Sequence, residues 1–319
     1  MEMGFWETIK KPVIALAPMA GVTDAAFRRI IAKYGKPDVM WTEFVACDGL
    51  VSQGRENLLV DFWHTDTERP IVAQIFGANP ENFYKTALLI QELGFDGIDI
   101  NMGCPDRNVE KQGAGAALIK NPELAQKIIK ETKRGAGKLP VSVKTRIGYN
   151  TSTVGDWVKY LLESEPAVIT VHARTRKEMS DVPARWDTVR DAVSVRDKEG
   201  GPTLIFGNGD VKDTKDAEEK IAYSGADGVM IGRGIFGNPW LFNLTKKRED
   251  ISVEERMRVM LEHTKLYEEL FAGKKNFADM KKHFKAYVAG LDGAKELREE
   301  LMKTNSAHEV ETILRARGF

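Results

Sequence analysis

Cysteine is scarce in this chain. Cys47 and Cys104 are the only two among 319 residues and cannot brace a disulfide framework, so the cytoplasm is the expected setting. No CxxC pair or Cys/His cluster offers the spacing of a structural metal site, and no metal is expected. Long apolar runs are missing too. Nothing approaches the ~20 residues of a membrane-spanning helix, so no membrane partner is expected. The opening stretch MEMGFWETIKKPVIALAP has an early acid and no apolar core of the signal-peptide kind. Nor does one sign of charge dominate. Lys and Arg number 47, as do Asp and Glu, so a polyanionic partner has to be met by a local patch rather than by the field of the whole molecule.

What is present is an alternation. Short apolar runs at 13–17, 39–43, 71–76, 97–101, 141–146, 168–172, 203–207 and 228–231 are separated by amphipathic stretches such as ENFYKTALLIQELG and VKDTKDAEEKIAYSG. Several of these stretches open on a capping Asp, Asn or Thr and close on Gly. Strands alternating with helices imply parallel βαβ units, and eight units predict an α/β fold, a (β/α)8 TIM barrel over residues 1–245. An open doubly wound sheet is the alternative. From about residue 250 the β-like runs stop. Helical patterns at 253–271, 277–289, 293–303 and 307–317 predict an α-helical bundle domain over 246–319.

Barrels bind ligands at the C-terminal ends of their strands, and polar residues gather there in this sequence. APMAGVTD follows the first strand and Gln74 lies in the third. NMGCPD follows the fourth, Lys144 lies in the fifth, and His172 ends the sixth. GNGD and GRGIFG follow the last two. Paired glycine loops on the seventh and eighth strands, with Arg233 beside them, suit a phosphate. A strand-interior lysine either faces an anionic ligand or snorkels toward a helix. The set fits a flavin mononucleotide, with amide and lysine at the ring and glycine loops at the phosphate.

Cys104 then has few readings. Disulfide and metal roles lack partners, and no base that would make it a nucleophile is visible nearby. An inert packed thiol and a proton donor remain, and an unperturbed thiol stays largely protonated at neutral pH. In the tail, FAGKKNFADMKKHFKAY carries five lysines and one aspartate. Helical spacing puts Phe277, Met280, Phe284 and Tyr287 on one face, with Lys281, Lys282 and Lys285 off it. That pattern describes either a solvated basic face or a contact for a nucleic-acid backbone.

APMAGVTD, NMGCPDRNVEKQGAGAAL, VSVKTRIG, VHARTR, GNGDV and IGRGIFGNPW, in this order, resemble the tRNA-dihydrouridine synthase family. The tail segments MKKHFKAYVAG and ELREELMKTNS resemble that family's helical RNA-binding domain. The resemblance implies an FMN-bound barrel that takes electrons from NADPH and reduces specific uridines of tRNA to 5,6-dihydrouridine. Hydride passes from reduced flavin to C6, and Cys104, at the family's catalytic cysteine, protonates C5. It further implies that Pro18, Met19, Ala20, Gln74, Lys144, His172, Asn208, Gly209, Asp210, Gly232 and Arg233 bind the flavin. Asn101 would lie near the uracil and Arg176 at the RNA, and the contact reading of Lys281, Lys282 and Lys285 becomes the favoured one. Ala173 stands where the family commonly has glycine, a change expected to alter the loop beside the flavin. The competing expectations are a flavin barrel acting on a free pyrimidine, like dihydroorotate dehydrogenase, and a non-catalytic RNA-binding barrel. No obligate protein partner is implied, and a monomer is expected.

Overall fold

The structure is a computed structural model describing residues 2–319. Eight parallel strands run in the order β1-β8-β7-β6-β5-β4-β3-β2. They are β1 (Val13–Leu16), β2 (Met40–Ala46), β3 (Ile71–Phe76), β4 (Gly97–Met102), β5 (Val141–Arg146), β6 (Val168–His172), β7 (Leu204–Asn208) and β8 (Gly228–Ile231). The sheet closes on itself where Leu16 N donates to Val39 O at 3.2 Å and Asp38 N to Ile14 O at 3.0 Å. The barrel expected from the alternation is therefore the one formed, and the open sheet is excluded.

Two of the expected strands are displaced. β2 runs on to Ala46 because Phe44, Val45 and Ala46 pair with Gln74, Ile75 and Phe76 after a register shift that follows Trp41. β7 ends one residue later than expected, which puts Asn208 on the strand beside His172 and Met230.

Side-chain alternation divides the barrel into two cores. In β4, Ile98, Ile100 and Met102 face the surrounding helices, while Asp99 and Asn101 face inward. The lower interior is filled by Val13, Trp41, Val168, Phe206, Met230 and Trp6, the last carried by a 3₁₀ turn at Gly4–Glu7. Trp6 packs against Trp41 at 6.1 Å and edge-on to Phe206 at 5.6 Å between ring centroids. With large apolar groups below, the polar inward residues are left to the upper end.

The tail is helical throughout. Helix Val253–Phe271 is its longest element, followed by Lys281–Tyr287, Ala294–Leu301 and Ala307–Ala316. The continuous helix expected over 277–289 is instead a 3₁₀ turn, Phe277–Asp279, followed by a short helix. Asn276 caps that turn by accepting the Ala278 N–H at 2.8 Å. The tail rests on the first barrel helix, Ala25–Tyr34, whose Ala25, Ala26 and Ile30 share a core with Met257, Met260, Tyr267 and Phe284. Lys33 and Tyr34 both reach Glu262, each at 2.6 Å.

Candidate active site

Strand register assembles the upper rim. Asn101 pairs with Lys144, Arg146 with His172, and His172 with Asn208. Two adjoining cavities open there and share Pro18, Lys144 and His172 as walls. One, of about 220 Å³, is lined by Met19, Asn208, Gly209, Asp210, Gly232 and Arg233. The other, of about 170 Å³, holds Gln74, Asn101, Cys104 and Arg146. Every flavin position implied by the sequence except Ala20, which is exposed and lines neither cavity, meets at this rim.

Lys144 points into the barrel, not toward a helix. Its ammonium donates to Asn208 Oδ1 at 3.1 Å, which occupies one of three N–H groups. Burial, and then the Arg146 charge, bring it down to about 8, and an anionic ligand would raise it again and hold its proton more firmly. His172 is held well below its ordinary value by burial and by the cations Lys144, Arg146, Arg174 and Arg233. It is therefore a neutral imidazole. Arg174 Nη1, a donor only, lies 3.2 Å from its Nε2, so Nε2 accepts and the proton sits on Nδ1.

The phosphate-like end is built from backbone and charge. Gly209 has φ +123°, and a Cβ there would lie 2.9 Å from Ala184 Cβ. At Gly232 a Cβ would come no closer than 3.7 Å to Met19 Sδ, so the backbone is open to approach. Arg233 Nη2 donates to Asp210 Oδ1 at 3.0 Å, and the same carboxylate accepts from Arg174 and, at 2.9 Å, from Ala184 N. Burial pushes the Asp210 carboxyl up, but Arg174, the Ala184 N–H and Arg233 outweigh it and hold it below its ordinary value. Asp210 thus orients two arginines.

Around Cys104 the loop is pinned through its backbone. Asn101 Oδ1 accepts from Gly103 N at 3.1 Å and Cys104 N at 2.9 Å. Cys104 O accepts from Ala116 N at 3.0 Å. Asp106 caps the next helix by accepting from Asn108 N at 2.8 Å. Asn101 Nδ2 donates to Gln74 Oε1 at 3.1 Å, and Gln74 Nε2 to Asp99 Oδ2 at 2.6 Å. The side chain expected near a uracil is thereby also the anchor of the cysteine loop. Burial raises the Cys104 thiol above its ordinary value, against the opposing effects of the Asp106 N–H, Arg146 and Lys144.

Three residues escaped sequence reasoning. Arg146 donates to Gly103 O at 2.8 Å and to Thr175 O at 3.0 Å. Arg174, almost fully buried, joins His172 to Asp210. Asp99 accepts from Gln74 and, at 2.6 Å, from Ser142, and burial lifts it to about 6. A signal existed for two of them. Asp99 and Asn101, like Ser142, Lys144 and Arg146, repeat at period two inside buried strands. Arg174 has no such pattern.

Other expectations meet different surroundings. Arg176 is engaged by Glu110, with Nε 2.9 Å from Oε1, so its charge is already paired. Ala173 is buried in the core between sheet and helices, so its methyl does not enter the cavity. In the tail, Lys282 and Lys285 are exposed and Lys281 partly so, while Met280, Phe284 and Tyr287 are buried. Lys281 Nζ lies 3.5 Å from Asn305 Oδ1, and Lys282 Nζ 2.8 Å from Asp279 and 3.4 Å from Gly21 O beside the cavity wall. Among the described residues no helix is long and apolar enough to cross a membrane, and no group of three or more His, Cys, Asp or Glu could hold a metal ion.

Residues 15–317 match the family model described as dihydrouridine synthase. A probable tRNA-dihydrouridine synthase of Staphylococcus epidermidis is 40% identical over 317 residues, covering 98% of this chain and 96% of that one. Probable tRNA-dihydrouridine synthase 2 of Bacillus subtilis is 39% identical with the same coverage. Among solved structures, histamine dehydrogenase from Rhizobium sp. 4-9 aligns with TM-score 0.55 at 13% identity, over 79% of this chain and 48% of that one, a likeness of fold alone.

Proposed function

The chain belongs to the dihydrouridine synthase family, and from that premise we propose that it reduces uridines of tRNA to 5,6-dihydrouridine, using flavin mononucleotide and NADPH. The observation that carries this reading is the shared wall of the two cavities: Lys144 and His172 stand between an arginine–glycine cradle and the Cys104 thiol.

The residues fit the cofactor. Lys144 has N–H groups to spare at the cavity floor, Gly232 leaves its backbone approachable, and Arg233 stands at the rim. Four cations, Lys144, Arg146, Arg174 and Arg233, outnumber the carboxylates Asp99 and Asp210 around the cavities, which suits a dianionic phosphate and an electron-rich ring edge. Gly209, Gly232 and Arg233 would hold the phosphate. Pro18, Met19, Gln74, Lys144 and His172 would hold the ring. When bound and reduced by NADPH, the cofactor supplies the hydride that adds to C6 of uracil.

The chain's own part is positioning and one proton. A stacked uridine has to leave its helix to reach a barrel floor. Cys104, kept as a thiol by burial, then gives its proton to C5. The C5=C6 π pair becomes the new C5–H bond, the hydride pair becomes the C6–H bond, and the thiolate left behind regains a proton from water. Neutral His172 and cationic Lys144 can donate to the uracil or ring carbonyls without competing for that proton. We assign residues 1–245 to catalysis and 246–319 to holding the tRNA, with Lys281, Lys282 and Lys285 on its backbone, and expect a cytoplasmic monomer.

The test is an unmodified tRNA transcript incubated with purified protein, FMN and NADPH, then digested and analysed by mass spectrometry. Uridine-containing fragments heavier by two hydrogens are expected. No gain with the transcript, but turnover of a free pyrimidine, would move the substrate assignment to small molecules.

A further inference from the structure

The loop that walls the cavity after β1 is held from outside the barrel. Within the loop, Met19 O accepts from Val22 N at 3.1 Å and Thr23 N at 3.0 Å. The tip residue, Gly21, has φ +66°, and its N–H donates to the Glu43 carboxylate. The other oxygen of Glu43 accepts from Lys275 Nζ at 2.7 Å, and the same ammonium lies 2.6 Å from Asp61 Oδ1. Lys275 belongs to the tail, just after helix Val253–Phe271 and before the capped turn at Asn276. Glu43 sits on β2 and is 6% exposed. A continuous chain of charged hydrogen bonds therefore runs from tail to Gly21, two residues from Met19.

These groups are too buried to be surface decoration. The Lys275 side chain is 16% exposed, and its proton is held by Glu43 and Asp61 against the opposing effect of burial. A carboxylate of this kind left without its cation is costly, because little water can replace the lost partner. Removing Lys275 would thus free Glu43 to reorient and release the Gly21 N–H. Nearby Arg28 cannot substitute, being committed to Glu68, Thr23 O and Trp63 O at 2.7, 2.7 and 2.5 Å.

We propose that Lys275 and Glu43 are positioning residues for the reaction: through the Glu43 carboxylate and the Gly21 amide the tail sets the shape of the Pro18–Met19 wall, so that seating of the tail and readiness of the reaction cavity are one event. The functional half rests on the reading given under Proposed function, and the structural half does not. Neither residue lines either cavity. Their effect passes through the Gly21 amide.

The experiment compares wild type with Lys275→Met, Glu43→Ala and Glu43→Gln, each first checked for native circular dichroism, with Lys275→Arg as the conservative rescue. Hydrogen exchange of the peptide spanning residues 17–24 is read without cofactor. Exchange about tenfold faster or more is expected in Lys275→Met and Glu43→Ala, with Lys275→Arg returning toward wild type. Glu43→Gln, which keeps an oxygen for Gly21 N, should fall between. With FMN added, the first two variants should bind it several-fold more weakly and show a shifted visible spectrum before any tRNA is present. Wild-type exchange and spectrum in Lys275→Met would overturn the proposal, as would a change confined to the KM for tRNA, which would make the residue a docking contact only. Should Lys275→Met not fold, wild-type exchange of this peptide in Glu43→Gln would overturn the proposal equally. If wild-type protein forms no dihydrouridine, the functional reading fails while the exchange result still decides the coupling.

Discussion

Cys104 is fixed by bonds to its backbone rather than to its sulfur. Asn101 takes its N–H and Ala116 donates to its carbonyl, which leaves the thiol free to meet a substrate. A substitution at the sulfur should leave the loop intact. Cys104→Ala is expected to retain FMN and tRNA binding while the rate of dihydrouridine formation falls by about 10²–10⁴, the usual worth of a placed acid. Single-turnover measurement with pre-reduced protein checks this, and an undiminished rate would remove Cys104 as the donor. The sequence made this residue legible because a cysteine between glycine and proline at a strand end has few structural uses. It held a signal for Asp99 and Arg146 as well, in their period-two places inside buried strands, but none for Arg174, whose part in the site comes from its contact with Asp210 between loops far apart in the chain.

Among the elements, the short helix Lys281–Tyr287 has one face packed and one basic. Phe284 and Tyr287 are buried, while Lys282 stands beside the loop that walls the cavity. Proximity to the cavity is what a phosphate-contacting lysine needs if a base is to enter there. Lys281→Glu combined with Lys282→Glu should weaken tRNA binding and flatten its dependence on salt by about two lost phosphate contacts. Filter binding across a salt series measures both, and an unaltered slope would return the lysines to the solvated-face reading. The strands were readable because parallel strands buried on both sides appear as apolar runs. β2 was misjudged because its register shift past Trp41 depends on pairing with β3. The helix predicted over 277–289 was broken by Asn276, whose side chain caps a 3₁₀ turn that helical spacing does not register.

At the scale of the molecule, barrel and tail meet over a core with unsatisfied polar groups in it. Phe27 of the first barrel helix stacks on His263 at 5.0 Å and lies 4.5 Å from His283, both of the tail. His263 Nε2 and both nitrogens of His283 are buried without a hydrogen-bond partner, while Tyr287 OH lies 3.4 Å from His263 Nδ1. Burial lowers His263 well below its ordinary value, helped by His283, and brings His283 down to about 3, with Lys282 lowering it further and Asp279 opposing. Both are therefore neutral in the folded chain. Below about pH 6.5 the unfolded chain binds protons that these two histidines refuse when folded, so their contribution to stability is full above that value and falls as pH drops, while Asp24 and Asp99, raised by burial to about 7 and about 6, act in the opposite direction. Thermal unfolding of wild type and His283→Leu at pH 7 and pH 5 should differ, the variant losing less stability on acidification by up to one proton's worth, roughly 1.4 kcal/mol per pH unit. An equal loss in the variant would place the acid sensitivity elsewhere. Neither histidine stood out in the sequence, since their meeting joins residues far apart on different helices.

Trp6 gives the barrel a blind end. With Trp41 and Phe206 it fills the lower interior, so among the described residues the two cavities open at the upper end, a doorway walled by Pro18, Lys144 and His172. On the proposed chemistry, a nucleotide reductant and a bulky RNA cannot stand in that doorway together. On that reading the two take turns at the doorway, and a bound cofactor would carry what one leaves to the next.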